Sequence, residues 1–346
     1  MSSIDPAYEE LAAKYRVQKS KYFPQILEKL LSLEQAKIVC ELPAASSEEI
    51  AEKLNMDKGV VDKQIQELYE KGVVYYKRKG FRAAYNLYEL HDATTTNPKF
   101  YESLGEEYLD LWDKWTQNEA AQWFKENPFP WDTDTPMRII PKWKSIKDVP
   151  GVMPFDDMRH ILKENEDTIA INPCSCLRIA KKRFPDVPEE ICIIVQRTAQ
   201  YSIDRGSAKK TTVKEALDML ERIEKYPMVH VGYNEKPVNR LVSNSLSCCL
   251  VFGISPPGTL ENTAPSRFEA TVDSDMCIGC RCCIEVCLFD AAKMKHYPEF
   301  SEERAYIDTK KCVGCGNCVV NCCIGARKMK LVRPPEFIPD IFEGHY

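Results

Sequence analysis

Along residues 24–40, PQILEKLLSLEQAKIVC, apolar side chains return on a helical period at Ile26, Leu27, Leu30, Leu31, Ile38 and Val39, behind a proline suited to a first helical turn. The next stretch, SSEEIAEKL, offers Ser46 or Ser47 as a cap with acids in the first turn. MDKGVVDKQIQELYEKG then reads as a further helix stopped by Gly72. In VVYYKRKGFRAAYNLYEL two short apolar segments flank a Lys/Gly turn, a hairpin pattern. Residues 98–150 read as helix through FYESLGEEYLDLWDKW and then become rich in proline. MPFDDMRHILKENEDTIAINPCSCLR predicts a helix, a short buried strand at IAIN and a loop presenting two thiols from a sheet edge. MVHVGYN reads as an apolar strand, so His230 is expected to be a satisfied core histidine before it is a ligand. RPPEFIPDIFEGHY repeats proline and leaves Phe337, Ile338, Ile341 and Phe342 on a segment too short for a core of its own, expected to lie extended over this protein or a neighbour. The mixture of helical and strand periods predicts an α+β, multidomain chain.

A length of 346 residues allows two or three domains, each with its own core. Helix, short helix, helix, hairpin over residues 20–90 resembles the winged-helix domain, which implies a DNA reader. The third helix, residues 57–71, carries Asp57, Asp62, Glu67 and Glu70 against Lys58, Lys63 and Lys71, and phosphate contacts need cations. The wing holds Lys77, Arg78, Lys79 and Arg82, which keeps DNA open, but contact with a protein partner is the expectation. Residues 91–150 read as a helical linker holding all five tryptophans, Trp112, Trp115, Trp123, Trp131 and Trp143, which anchor a helix or form a docking surface. Residues 151–262 read as a cysteine-containing α/β middle domain, 263–332 as a compact cysteine-rich domain and 333–346 as a tail.

The net charge of −5, from Lys+Arg 47 and Asp+Glu 52, sets up no overall basic field toward nucleic acid or an anionic membrane. Sixteen cysteines are a heavy load. MSSIDPAYEE lacks the basic start and apolar run of a signal peptide, and no stretch reaches the ~20 apolar residues of a membrane span. The expectation is a reducing, cytoplasmic setting, where clustered thiols bind metal rather than forming disulfides. Cys40, at an apolar position of the first helix, is expected merely to pack.

Residues 272–295 and 307–330 align at an offset of 35, VDSDMCIGCRCCIEVCLFDAAKMK over IDTKKCVGCGNCVVNCCIGARKMK. Cys277, Cys280, Cys283 and Cys287 fall on Cys312, Cys315, Cys318 and Cys322, each run spaced C-x2-C-x2-C-x3-C. Three thiolates two residues apart on a tight loop can take three corners of one 4Fe-4S cube, with Gly279 and Gly314 letting backbone amides approach the sulfides. Over residues about 266 to 332 the chain resembles the bacterial two-cluster ferredoxins. That resemblance implies that each fourth cysteine crosses over: Cys277, Cys280, Cys283 and Cys322 hold one 4Fe-4S cluster, and Cys312, Cys315, Cys318 and Cys287 the other. Where that family usually has proline after the fourth cysteine, this chain has Leu288 and Cys323. Cys282 and Cys323 fall outside the spacing and are expected to be fillers rather than alternative ligands. A zinc ribbon would need two closed C-x2-C pairs without a third cysteine in each run.

Five further thiols lie upstream: Cys174 and Cys176 in NPCSCLR, Cys192 in EEICII, and Cys248 with Cys249 in SLSCCLVFG. With His230 and Asn234, this layout is similar to a group of uncharacterised iron–sulfur proteins of anaerobes. It departs where Leu177 separates Cys176 from Arg178 and where SNSLSCC carries serines in place of further cysteines. The resemblance implies a third 4Fe-4S cluster on four of the five, with zinc or unligated thiols as alternatives. His230 is then a candidate donor to a cluster sulfur.

No G-x-G-x-x-G or G-x4-G-K-[ST] motif is present, so no nucleotide cofactor is expected. The leading expectation is an electron-transfer protein passing single low-potential electrons to or from a catalytic oxidoreductase subunit in an anaerobe. Two alternatives stand beside it. One is a redox-sensing regulator that uses the winged helix as reader. The other is a reductase with an open site at the middle-domain cysteines, where His230 or the spare thiol of the 248/249 pair acts as acid or base.

Overall fold

The computed structural model describes residues 5–127, 137–250 and 263–340. It is a mixed helix and sheet chain that divides into two compact units. The first comprises residues 1–127, 172–189 and 201–209, and the second residues 128–171, 190–200 and 210–346. This differs from the domain boundaries expected from composition. Residues 91–127 pack within the first unit instead of forming a separate linker, and the region from 263 onward shares the second unit with the middle segment.

In the first unit, helix α1 (Pro6–Lys14) is followed by α2 (Phe23–Leu30) and α3 (Leu33–Cys40). The helical period over residues 24–40 is therefore interrupted. Leu31 is extended, and Ser32 starts α3 through a reciprocal cap, accepting from the Gln35 amide at 3.2 Å while the Gln35 side chain accepts from the Ser32 amide at 3.3 Å. α4 (Ser47–Leu54) is capped by Ser46, and α5 (Lys58–Lys71) is capped by Asp57 and ended by Gly72 in the left-handed region. The hairpin is short, β1 (Val74–Tyr76) against β2 (Phe81–Ala83), and the following NLYEL is not strand. Asn86 caps it into α6 (Leu87–Thr94), where the apolar positions fall on a helical period.

Beyond α7 (Pro98–Leu104) runs α8 (Glu106–Trp115), which continues through one π turn at Thr116–Ala120 into α9 (Ala121–Glu126). Trp112 and Trp115 are fully buried, with ring centroids 5.6 and 6.3 Å from that of Phe23 on α2. They are core residues rather than a docking surface, because α2 and α8 present complementary apolar faces. Trp123 donates Nε1–H to the Arg16 carbonyl at 3.0 Å, and Trp131 lies outside the described residues. Cys40 is half-buried with its Sγ 3.6 Å from the Ala7 carbonyl, and burial, with the Glu10 carboxylate adding to it, pushes its thiol up to about 11.

The second unit is built on a seven-stranded sheet that contains β3 (Met137–Ile140), β4 (Ile169–Pro173), β5 (Glu190–Val195), β6 (Lys209–Thr211), β7 (Val229–Tyr233), β8 (Leu241–Ser245) and β9 (Thr263–Ala264). The order is β6-β4-β5-β8-β7-β3-β9. The contiguous antiparallel run β5-β8-β7-β3 sets His230 opposite Ile140 and Asn244, and Val231 opposite Ile139 and Ser243. Two two-stranded ladders complete the unit: β10 (Phe268–Val272) with β13 (Arg327–Leu331), and β11 (Ala292–Lys295) with β12 (Arg304–Ile307). A buried ion pair between Arg267 and Asp156 at 2.6 Å, both 1% exposed, holds the start of β10 to the turn at Pro154–Asp156. Arg267 also donates Nε–H to the carbonyls of Arg333 and Pro334, so the C-terminal segment is held along this unit. Ile338 is buried there, whereas Ile341 and Phe342 lie outside the described residues. Among the described residues no helix is long and apolar enough to cross a membrane.

The aromatic core of the first unit leads to a direct expectation. Phe23→Ala should lower stability by about 3–5 kcal/mol, and denaturation followed by tryptophan emission should show an earlier transition because Trp112 and Trp115 lose their shared neighbour.

Candidate metal centres

The backbone repeats with the same offset of 35 as the sequence. β10 corresponds to β12, and β11 to β13. The two short helices α15 (Cys282–Glu285) and α16 (Asn317–Val320), counted after α10–α14 of the intervening chain, correspond residue for residue. Left-handed backbone recurs in register as well: Gly279 with Gly314, Arg281 with Gly316, and Asp290 with Gly325. Arg281 and Asp290 hold that conformation without being glycine, at about 1–2 kcal/mol each.

Each repeat packs on the other. The first strand of one pairs antiparallel with the last strand of the other, in both ladders. The loop glycines mark the tightest approach. A Cβ on Gly314 would stand 2.0 Å from the Phe268 carbonyl oxygen, and one on Gly279 would stand 2.8 Å from that of Glu303, the residue 35 further on from Phe268. These positions require glycine because the first strand of the opposite repeat passes directly beneath them.

This reciprocal packing gathers the cysteines into two sets, each around its own cavity. One, with an empty volume of about 350 Å³, is lined by Cys277, Cys280, Cys283 and Cys322. The other, of about 330 Å³, is lined by Cys312, Cys315, Cys318 and Cys287. Each fourth cysteine thus lies with the three of the opposite repeat. Cys282 also lines the first cavity, 3.9 Å from the Cys280 carbonyl, while Cys323 is exposed outside both linings. Among the described residues no three His, Cys, Asp or Glu side chains close around a single ion position.

Several N–H groups are directed at sulfur. Ala305 donates to Cys277 Sγ at 3.5 Å, and Ala291 and Ala292 donate to Cys287 Sγ at 3.3 and 3.4 Å. The Arg327 guanidinium donates Nη2–H to Cys283 Sγ at 2.8 Å. Burial pushes the Cys315 thiol up to about 12 and raises Cys318, Cys312 and Cys283 too, with Arg327 working against that rise at Cys283. Ligation by these thiols therefore has to release protons, so any metal uptake is coupled to pH.

The two cavities differ in surroundings. Cys280 is exposed at the first, next to Ile278 and Arg281. The second lies toward the seven-stranded sheet, where Phe289 and Val313 pack with Met137, Ile139, Val229 and Val231, and Cys287 and Cys315 rest against them. Lys142, just after β3, donates its backbone N–H to the Cys315 carbonyl at 3.0 Å. Arg327 and Lys142 were not signalled by spacing. Only their sign, beside a cysteine run or after a strand, could have drawn attention to them.

The five upstream cysteines are divided between the units. Cys174 caps α12 (Ser175–Ile179) and Cys176 lies in its first turn, both in the first unit, so a helix start presents them where a loop was expected. Beside them, Ser175 donates its hydroxyl to Asp92 at 2.6 Å, and Asp92 contacts His91 Nδ1 at 2.8 Å. Burial lowers the His91 pKa, but the Asp92 hydrogen bond and the charge of Cys176 more than offset it, leaving a net rise. Arg178 is buried against the carbonyls of Thr95 and Thr96 and the Glu189 carboxylate, which accounts for an arginine at that place. Cys192, Cys248 and Cys249 belong to the second unit. Cys192 Sγ lies 3.7 Å from Ser243 Oγ, which accepts from Ser245 at 3.1 Å, so two of the three serines of SNSLSCC are buried in a polar row and Ser247 is exposed. His230 is buried with Nδ1 2.6 Å from Asn244 Oδ1, as expected of a satisfied core histidine. Burial, with Lys142 adding to it, holds its pKa down at about 4.

A comparison with protein-family models finds no match, and neither does one with curated proteins.

Two consequences are measurable. Gly314→Ala should abolish the native packing of residues 268–331, since the Phe268 carbonyl cannot yield. Gly325→Ala, left-handed but with open space around it, should cost only about 1 kcal/mol; chemical denaturation distinguishes the two. His230 is neutral in the folded chain down to about pH 4 but titrates near 6.5 when unfolded, so its contribution is complete above pH 6.5 and is lost as pH falls toward 4. The loss amounts to roughly 3 kcal/mol. Denaturant midpoints across that window should fall more steeply in the native protein than in His230→Gln.

Proposed function

We propose that residues 268–331 hold two 4Fe-4S clusters and that the chain is an electron-transfer protein serving a partner oxidoreductase. The observation that carries this reading is the sorting of eight cysteines into two quartets around two cavities, each quartet completed by a cysteine of the opposite repeat. Cys277, Cys280, Cys283 and Cys322 would hold one cluster, and Cys312, Cys315, Cys318 and Cys287 the other. The donor set fits: five soft sulfurs line the first cavity and four the second, no histidine or carboxylate is in either lining, and N–H groups are already aimed at sulfur. When bound, such clusters supply reversible one-electron transfer. The chain supplies the rest. The reciprocal repeats keep the quartets adjacent, the apolar wall of Phe289, Val313 and Val231 excludes water from the second, and the exposed Cys280 gives the first a face to solvent where a partner can approach.

The first unit, whose α2–α5 and hairpin resemble a winged helix, is proposed as a protein-contact module. A DNA-reading regulator is less well supported by the charges. Lys58 is paired with Asp62 at 2.8 Å and Glu48 at 3.2 Å, and Lys71 donates to the Leu30 carbonyl and the Gln35 side chain. Arg82 of the hairpin is bound to Glu89 and stacked on Tyr75 and Tyr85. Cations so engaged are poor phosphate contacts.

Anaerobic purification from the native host, with iron and sulfide analysis and identification of whatever accompanies the chain, tests the proposal. About 8 irons per chain with equal sulfide is the expectation for two clusters, and about 12 would assign four of Cys174, Cys176, Cys192, Cys248 and Cys249 to a third. Zinc in place of iron, or a lone monomer with sequence-specific, salt-sensitive DNA affinity, would overturn it.

A further inference from the structure

The duplicated halves share element order and left-handed positions, yet they differ in a buried charge beside one cavity. At the position where the first repeat has Ala292, the second has Arg327. Arg327 is 3% exposed, lines the Cys277/Cys280/Cys283/Cys322 cavity and donates Nη2–H to Cys283 Sγ at 2.8 Å. Its Nη1 is buried without a hydrogen-bond partner among the described residues, and no carboxylate among them lies within ion-pair distance of it. A guanidinium so placed is costly unless it faces negative charge. Four thiolates around that cavity would provide it.

The other cations nearby do not act in the same way. Arg281, which matches Gly316, is largely exposed and paired with Glu303 at 2.6 Å, so solvent and the carboxylate screen it. Lys142 is buried and its charge favours the Cys315 thiolate, but its Nζ donates to the Glu224 carbonyl at 3.4 Å and hydrogen-bonds no sulfur. The Ala305 amide on Cys277 has its counterpart in the Ala270 amide on Cys312, and the second quartet takes two further amides, from Ala291 and Ala292, on Cys287. The sites thus differ in kind: among the described residues a buried cation hydrogen-bonds a sulfur only at the first cavity, while the second relies on amides.

Resting on the two-cluster reading, we propose that Arg327 sets the Cys277/Cys280/Cys283/Cys322 centre at the higher reduction potential of the pair, making the exposed quartet the place where the first electron settles. A donor hydrogen bond to a ligand sulfur and a buried cation both favour the form carrying one more electron, and solvent access at Cys280 acts in the same direction. The second quartet, walled by Phe289, Val313 and Val231, takes its donors from backbone amides, and no cation among the described residues hydrogen-bonds its sulfurs. Electron exchange with a partner then occurs at the end where Cys280 is exposed, and the Cys312/Cys315/Cys318/Cys287 quartet is reduced second.

The test uses the full chain, prepared without oxygen and with iron and sulfide quantified, titrated with dithionite and followed by electron paramagnetic resonance. The native protein should show two separated midpoints. Arg327→Gln should lower the higher midpoint more than the lower one, narrowing the separation. Arg327→Lys, which keeps a cation but loses the Nη2 bond, should give a smaller shift in the same direction. It also decides the question should Arg327→Gln fail to take up iron. Full iron with both midpoints unmoved in Arg327→Lys and, where it loads, Arg327→Gln would overturn the role of Arg327 while leaving the clusters intact. Native protein without iron–sulfur signals would overturn the cluster reading itself, and this inference with it.

Discussion

The C-terminal half of the protein depends on one constraint, the reciprocal pairing of two short repeats that cannot form a sheet alone. β10 needs β13 and β11 needs β12, so neither repeat has a strand partner within itself. Once the ladders form, the loop of each repeat is pressed against the opening strand of the other, closely enough that Gly279 and Gly314 admit no side chain. The cysteine after each short helix is delivered to the opposite cavity by the same packing. A segment with nine thiols within 46 residues thereby lines two cavities rather than forming one irregular cluster of sulfur.

Burial then decides what those thiols are. In an apolar lining a thiol keeps its proton, and the raised values at Cys312, Cys315, Cys318 and Cys283 express that. The amides on Cys277 and Cys287 and the guanidinium on Cys283 offset the opposing cost of placing sulfur anions there. The neighbouring sheet follows the same economy of polar groups. His230 is paired with Asn244, and Cys192 lies beside Ser243 and Ser245, so these two candidates of the middle segment each have a polar neighbour on the sheet.

The first unit is organised by aromatic packing instead. Phe23, Trp112 and Trp115 meet edge to face, and His91 joins them with its ring centroid 5.2 Å from that of Trp112. The residue pair His91–Asp92 reaches Ser175 and Cys176, which are some 83 residues away in sequence, through a segment that enters this unit from the middle of the chain. Such insertions are invisible to a reading that assumes contiguous domains.

Local signals carried far in this chain. Caps at Ser46 and Asp57, the stop at Gly72, the hairpin after it and the cysteine spacing with its offset of 35 all depend on residues a few positions apart, whose geometry the backbone imposes wherever they occur. The break at Ser32 was also legible, as a serine three residues before a glutamine, but the continuing apolar period masked it. What tertiary structure alone decided are the relations between distant segments. Trp112 and Trp115 went to a core rather than a linker, Cys174 and Cys176 were separated by unit from Cys192, Cys248 and Cys249, and Arg327 came to rest on Cys283. Side-chain pattern within a few turns reports which face of an element is buried. It does not report which other element buries it, because that depends on loop closure and on the charge and shape of a surface formed by residues elsewhere in the chain.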